Sequence, residues 1–214
     1  MKRVFDFIIA FVALIFLLPL LVPISLLLKI TGEKEVFYMQ PRVGLNSRLF
    51  SIIKFATMLK NSEKMGSGTL TMKDDPRVLP IGLYLRKTKI NELPQLLNIL
   101  FGDMSIVGPR PLVPAGEKNY TSEQASIIRS VRPGLTGIGS LILRDEESYY
   151  AHRSDAHEFY EKEISPYKAS LEIWYVRNKS IGTDLLIIFL TAVAVVFPNI
   201  RVDKAFPSIP KMPK

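Results

Sequence analysis

The chain lacks cysteine entirely and has only two histidines, His152 and His157, among its 214 residues. The missing cysteines exclude disulfide bonds, zinc–thiolate sites and thiol nucleophiles. Two histidines in a polar stretch are too few for a histidine-rich metal site, and both read as solvated helix residues. Any chemistry must therefore come from carboxylates, lysines, arginines, hydroxyls and amides.

Acidic residues are also in the minority. The 28 Lys and Arg outnumber the 20 Asp and Glu, which gives a net charge of +8 and a pI near 9.6. A basic chain suits nucleic acid, anionic lipid or phosphorylated substrates. No basic stripe accompanies the charge, and the N-terminus is apolar, so we expect lipid and phosphorylated partners and no nucleic acid.

The apolar N-terminus runs over residues 4–28 and is interrupted by Asp6, Pro19, Pro23 and Ser25. It is long enough to cross a bilayer and longer than the apolar part of most signal peptides. Three readings stay open: a re-entrant hairpin that turns at Pro19, a spanning helix and a cleaved signal. Basic residues on both flanks favour the hairpin, because positive charge prefers the cytoplasmic side.

The remaining sequence predicts one mixed α/β domain that is mostly helical with a small sheet. Short strands are expected at residues 35–40 and 49–55, with a turn at 41–46. A helix with a leucine face is expected to end at Gly102, and further helices are expected at 122–131, 146–163, 167–178 and 185–197. We divide the chain into a membrane anchor (1–30), a cytosolic domain (31–198) and a basic flexible tail (199–214). Amphipathic helices should lie at the membrane interface.

Asn91 and Glu92 stand where the leucine-faced helix is predicted to begin. Free N–H groups at a helix start favour a phosphate or a reactive carboxylate, although both residues are equally suited to capping. Arg110 lies between Pro109 and Pro111, which would hold its guanidinium rigidly for a phosphate. With Arg86 and Arg132 in or near other constrained turns, the inventory suits phosphoryl chemistry assisted by a divalent cation.

An ordered set of motifs resembles the bacterial sugar transferases, the small monotopic phosphoglycosyl transferases. The matching pieces are Lys-Arg-Val-Phe-Asp (2–6), Gln-Pro-Arg-Val-Gly (40–44), Lys-Phe-Ala-Thr-Met (54–58), Asn-Glu-Leu-Pro-Gln (91–95), Gly-Asp-Met-Ser (102–105), Gly-Pro-Arg-Pro (108–111) and Arg-Pro-Gly-Leu-Thr-Gly (132–137). The resemblance extends over nearly the whole chain, to about residue 196.

The resemblance implies transfer of a phospho-sugar from a UDP-sugar to undecaprenyl phosphate, with release of UMP, as the first membrane step of surface-glycan assembly. It also implies Mg²⁺, a place on the cytoplasmic face of the bacterial inner membrane, contact with membrane lipid and a homodimer as a further expectation. Carried over by position, Glu92 and Asn91 would be the catalytic pair and the metal ligands. The phosphate-binding residues would be Lys54, Arg86, Arg110 and Arg132, with Asp75 and Glu172 as supporting acids.

Two residues depart from the family pattern. Asn91 stands where the family has the nucleophilic aspartate, and Ala56 stands where it usually has arginine. An amide cannot be the usual carboxylate nucleophile, and it is a weaker metal ligand. Either Glu92 takes over as nucleophile, or Asn91 is an engineered trap, or the chain is a non-catalytic, membrane-docked binding module of the same fold.

Overall fold

The computed structural model describes residues 2–66, 75–150, 153, 155–197, 200–206 and 208–212. Within these ranges the protein is mostly helical with two small two-stranded sheets, which confirms the predicted class. The helices are α1 (Lys2–Ile30), α2 (Pro80–Lys87), α3 (Gln95–Phe101), α4 (Ser122–Arg129), α5 (Ile138–Ile142), α6 (Glu146–Tyr150), α7 (Ala156–Phe159), α8 (Ser165–Asn178) and α9 (Ile181–Val196). The strands are β1 (Phe37–Val43), β2 (Leu49–Phe55), β3 (Ser105–Val107) and β4 (Gly134–Thr136). His157 is exposed on α7, and His152 lies outside the described residues.

The apolar N-terminus forms α1, one helix of 29 residues that is long and apolar enough to cross a membrane. The structure does not show the expected hairpin, because Pro19 and Pro23 both lie inside the helix. A membrane helix tolerates internal proline where neighbouring groups satisfy the freed backbone atoms. Most of the outer surface of α1 is exposed and apolar, since only 11% of its apolar window is buried.

Both ends of α1 contact the rest of the protein. At its start, Arg3 donates to the carbonyl oxygens of Ile99 and Leu100 at the end of α3. Near its end, Leu28 packs in a buried cluster with Phe55 of β2 and Leu85 of α2. The helix therefore lies against the body along its length and does not project away from it.

Asp6, which interrupts the apolar run, is an internal polar anchor. The side chain is only 2% exposed and accepts from Ser105 Oγ at 2.7 Å and from the Ile106 N–H at 3.2 Å. These contacts fix β3 to the first turns of α1. Buried polar groups are stable when they are hydrogen-bonded in this way.

The predicted hairpin is present with shifted bounds. β1 and β2 pair antiparallel from Phe37 opposite Phe55 to Val43 opposite Leu49. Pro41 belongs to β1 and not to the turn, which lies at Leu45–Ser47. A two-stranded ladder has an outer edge on each strand, and proline is tolerated at such an edge because its missing N–H is not needed there.

The leucine-faced helix is α3, and Gly102 ends it in the left-handed region at φ 93° as predicted. Asn98 of α3 then ties the helix to β2. Its Oδ1 accepts from the Ile53 N–H at 2.9 Å, and its Nδ2 donates to the Ser51 carbonyl at 2.8 Å. Lys54 of β2 is thereby held in register with the residues that precede α3.

The structure differs from the predicted helices in two places. The helix expected over 146–163 is divided into α6 and α7, and Pro166 does not separate α7 from α8. A π-helical segment, Tyr160–Ile164, joins them, and Pro166 sits in the first turn of α8. Ile164 and Ser165 both have right-handed helical dihedral angles, so Pro166 lies in a continuous helical run and directly follows the π-helical segment.

The segment after α9, expected to be a flexible tail, contributes to the core where it is described. Val202 and Phe206 are buried in the main apolar cluster. Trp174 of α8 meets Phe206 edge to face with ring centroids 5.7 Å apart, and its Nε1 donates to Ser208 Oγ at 3.1 Å. Aromatic packing and these polar contacts hold the segment against α8.

Candidate active site

A partly buried ion pair lines a large cleft. Lys54 Nζ at the end of β2 is 2.8 Å from Glu92 Oε1, and each side chain is 16% exposed. Glu92 closes a 3₁₀ turn, Ile90–Glu92, that leads into α3. Asn91 and Glu92 thus lie on this 3₁₀ turn and not at the start of the helix, where they were predicted to lie. The helix itself, α3, is only seven residues long.

Arg110 approaches the same carboxylate oxygen. Its Nη2 is 3.6 Å from Glu92 Oε1, and its Nη1 is 3.5 Å from Ser140 Oγ. Burial alone would raise the pKa of Glu92, but the charges of Lys54 and Arg110 outweigh burial and hold that pKa well below its usual range. Glu92 is therefore an ionised carboxylate at neutral pH, with the Lys54 and Arg110 cations beside it.

Arg110 owes its place to tight backbone packing behind it. β3 and β4 are parallel neighbours, and the Gly134 N–H donates to the Pro109 carbonyl at 2.8 Å. A Cβ on Gly134 would lie 2.1 Å from the Gly108 nitrogen, so only glycine permits this approach. The parallel strands therefore add backbone contacts to the two prolines that were predicted to hold Arg110.

Glu172 of α8 supports Arg110 from the core. Its Oε1 accepts from the Arg110 N–H at 3.1 Å, and the side chain is 2% exposed. A Cβ on Gly139 would lie 2.5 Å from this Oε1, so the glycine leaves the space that the carboxyl occupies. Burial raises the pKa of Glu172 to about 7, and the second oxygen, Oε2, is buried with no partner in the described part of the chain.

Asn91 is buried beside Glu92, with 6% exposed. Its Oδ1 has no hydrogen-bond partner among the described residues, and the same holds for Nε2 of Gln95, four residues on. A buried amide oxygen without a donor is unusual, and it marks this position as one where a ligand or water completes the site.

Arg42 of β1 is a functional candidate that the sequence reasoning missed. Its Nη1 donates to the Pro111 carbonyl at 3.0 Å and its Nη2 to Gln40 Oε1 at 2.6 Å, while Nε is buried without a partner in the described ranges. Burial and the nearby Arg110 lower the pKa of Arg42 to about 10. The sequence signal for Arg42 is its place in the Gln-Pro-Arg-Val-Gly motif, residues 40–44, which is part of the family resemblance.

Of the other predicted site residues, Arg86 lines the cleft, whereas Arg132 and Asp75 have other partners. Arg86 Nη1 is 3.8 Å from Met58 Sδ. Arg132 instead donates through Nε to the Gly102 carbonyl at 2.9 Å, where it supports the end of α3. Asp75 forms a buried ion pair with Arg77 at 2.5 Å, away from the Lys54–Glu92 pair. Arg144 also lines the cleft and was missed; its Nη1 is buried with no partner within the described ranges.

The cleft has a volume of about 1780 Å³. Its polar base holds Lys54, Glu92 and Arg110, whereas another part of its wall is formed by Ile188 and Val195 of α9. α9 carries further exposed apolar side chains, as α1 does. One cavity is therefore lined both by cationic side chains and by an apolar helix. Such a cavity suits a ligand that has a charged part and an apolar part, or two ligands that have one each.

The predicted magnesium site at Asn91 and Glu92 can be tested against their donor atoms. Mg²⁺ prefers an octahedral set of oxygens, usually carboxylates together with substrate phosphates. Asn91 offers one neutral amide oxygen, and the Glu92 carboxylate already accepts from Lys54. Among the residues that the structure describes, no three acidic or histidine side chains cluster. The donor set does not fit a resident magnesium ion.

Comparisons with known proteins identify the chain's relatives. The family model described as bacterial sugar transferase matches residues 1–198. Exopolysaccharide production protein ExoY of Sinorhizobium fredii is 37% identical over 208 residues, covering 91% of this chain and 84% of the relative. UDP-glucose:undecaprenyl-phosphate glucose-1-phosphate transferase of Escherichia coli is 33% identical over 193 residues, covering 89% of this chain and 39% of the relative. Undecaprenyl-phosphate galactose phosphotransferase of Salmonella typhimurium is 32% identical over 207 residues, covering 90% and 40%.

Proposed function

Because the chain belongs to the bacterial sugar transferase family, we propose that it transfers a sugar phosphate from a UDP-sugar to undecaprenyl phosphate. The products are undecaprenyl-diphosphate-sugar and UMP. The Lys54–Glu92–Arg110 constellation carries the proposal, because it places an ionised carboxylate between two cations at the floor of a large cleft. The alternative of a non-catalytic binding module is not favoured, since several relatives are named as sugar-phosphate transferases.

Glu92 is the proposed nucleophile, because the Asn91 amide cannot take that part. One oxygen of the Glu92 carboxylate attacks the sugar-bearing phosphorus of the UDP-sugar. The bond from that phosphorus to the bridging oxygen breaks, and UMP leaves with the bridging oxygen and the electron pair. An oxygen of undecaprenyl phosphate then attacks the same phosphorus and releases the carboxylate.

Lys54 and Arg110 have two tasks in this scheme. In the free protein they hold Glu92 ionised, and they also engage the oxygen that must attack. A bound diphosphate competes for both cations and thereby frees the carboxylate. The same cations then stabilise the negative charge that spreads over the phosphoryl oxygens in the transition state.

The two ends of the cleft suit the two substrates. The cationic base suits the diphosphate, and the part of the wall formed by α9 suits the first isoprene units of a lipid acceptor. Relatives named for exopolysaccharide production place the reaction in polysaccharide biosynthesis. The identity of the transferred sugar depends on the shape of the pocket, because no residue pattern in the sequence defines it.

The contacts of α1 suggest how the protein is positioned at the membrane. We propose that α1 lies in the cytoplasmic leaflet of the inner membrane as a monotopic element with both ends on the cytoplasmic side. The support is that its first turn contacts α3 and its last turns contact β2 and α2, all on one body. A straight crossing would carry one end of α1 about 40 Å away, across the bilayer.

The experiment is UMP release by the full chain in lipid nanodiscs, with undecaprenyl phosphate and a panel of UDP-sugars, run with and without magnesium. We expect wild-type turnover with at least one donor and a loss of about a thousandfold or more in Glu92→Gln. Glu163→Gln, an exposed acid outside the cleft lining, is the matched control and should keep wild-type activity. Turnover that survives Glu92→Gln would refute the assigned nucleophile, and absence of UMP release for the whole panel would refute the proposed reaction.

A further inference from the structure

Positive charge is in surplus at the base of the cleft. Arg42, Lys54 and Arg110 all line the cleft, and Arg42 Nη1 donates to the Pro111 carbonyl, next to Arg110, at 3.0 Å. Burial, then Arg110 and Arg42, lower the pKa of Lys54 to about 8 against the opposing effect of Glu92. Glu92 is the carboxylate that pairs with them, at 2.8 Å from Lys54 and 3.6 Å from Arg110. Three cations thus face one carboxylate.

The neighbouring acids do not remove this surplus. Glu146 contributes to the raised pKa of Arg110, but its carboxylate is itself paired with Lys168 at 2.6 Å. Glu172 lies behind Arg110 and accepts from its backbone N–H, and burial raises the pKa of this carboxyl to about 7. Asn91, the residue next to Glu92, carries no charge. The cluster of Arg42, Lys54 and Arg110 therefore keeps a net positive charge that a bound anion would balance.

A divalent cation would worsen the imbalance, whereas a diphosphate would correct it. Metal binding here would add positive charge beside three cations, with one neutral amide oxygen and one carboxylate already engaged by Lys54. A diphosphate brings negative charge on both phosphate groups and oxygens that lysine and arginine bind directly. Arg42 also has a buried Nε–H without a partner among the described residues, which is a donor still to be satisfied.

We propose that this chain binds the diphosphate of its nucleotide donor directly through Arg42, Lys54 and Arg110, without a divalent cation. The inference rests on the proposed function for the identity of the donor, but it concerns how the donor is held. Asn91 is the residue that sets this behaviour, because a carboxylate at position 91 would add the second negative ligand that a magnesium ion needs.

The test is calorimetric titration of the full chain in nanodiscs with UDP, in chelator and in excess magnesium. We expect the dissociation constant of the wild type to differ by less than about threefold between the two conditions. In Asn91→Asp, magnesium should tighten UDP binding by about tenfold or more, because the added carboxylate repels the diphosphate unless a cation bridges them.

Two further variants test the cation cluster itself. Arg42→Gln should weaken UDP binding by about tenfold or more in chelator, since a charge-assisted hydrogen bond to phosphate is lost. If this variant does not fold, Arg42→Lys keeps the charge but loses the planar fork, and it should show a smaller loss. Lys162→Ala, which removes an exposed lysine paired with Glu158, should bind UDP as the wild type does.

Each outcome decides a separate claim. Wild-type binding that requires magnesium, or no UDP binding in either condition, overturns this inference. UMP release that persists while UDP binding requires magnesium leaves the proposed function intact. UDP binding in chelator without UMP release under any condition supports the inference and counts against the transferase.

Discussion

Replacing Glu172 with glutamine should stabilise the protein above neutral pH and leave its stability nearly unchanged in mild acid. Glu172 is 2% exposed, and burial raises its pKa from 4.5 to about 7. Between these values the folded protein keeps a proton that the unfolded chain has lost. Stability contributed by this group is therefore present below about pH 4.5 and is lost as pH rises towards about 7.

The size of the effect follows from the two pKa values. Their difference, at roughly 1.36 kcal/mol for each pKa unit, gives roughly 3 kcal/mol as an upper limit. A protonated carboxyl and a carboxamide have the same shape and the same acceptor for the Arg110 N–H, so the wild type and Glu172→Gln should match at about pH 4. At about pH 8 the wild type must bury a charge and the variant need not.

Thermal unfolding in detergent, followed by the fluorescence of the single tryptophan, Trp174, measures the difference. For a chain of this size roughly 3 kcal/mol corresponds to a midpoint higher by about 6–12 °C in the variant at about pH 8. Glu163→Gln replaces an exposed acid and should follow the wild type at both pH values. An equal difference between wild type and Glu172→Gln at both pH values would refute the account, since Glu172 would then not titrate in this window.

Other predictions follow from the same contacts. UDP affinity should fall about tenfold for each pH unit above about 8, because Lys54 with a pKa of about 8 loses its charge there; an affinity that is constant up to about pH 10 would contradict this. Arg110→Lys should lower kcat by about tenfold or more in the UMP-release assay, because the rigid two-pronged contact with phosphate is lost, and an unchanged kcat would remove Arg110 from the site. Asp6→Ala should lower the free energy of unfolding by about 2–3 kcal/mol in detergent, because the buried Ser105 hydroxyl and Ile106 N–H lose their acceptor. A loss below about 0.5 kcal/mol would show that both groups find other partners.

Local sequence patterns predicted the elements whose residues carry their own signals. The leucine spacing and Gly102 predicted α3 and its end, and the Thr121–Gln124 capping box stands at the start of α4, close to its predicted first residue. Glu92 could be singled out because it stands at the predicted start of the leucine-faced helix, and Arg110 because it lies between two prolines. Such signals are local, so tertiary contacts did not need to be known.

The features that sequence reasoning missed depend on distant partners. Arg132 was predicted to bind phosphate, but its guanidinium donates to Gly102, 30 residues away in sequence. Arg42 joins the cationic cluster only because β1 passes the Pro111 carbonyl. The continuity of the helix through Pro166 depends on a π-helical turn, which no spacing rule indicates. In each case the deciding contact is between segments that are far apart in the chain.

Asp6 links α1 to β3, and β3 runs directly into the turn that carries Arg110. The apolar helix is thus connected through β3 to the turn that carries Arg110. A change at Asp6 would therefore be transmitted to the cationic cluster as well as to α1, so the two cannot be altered independently.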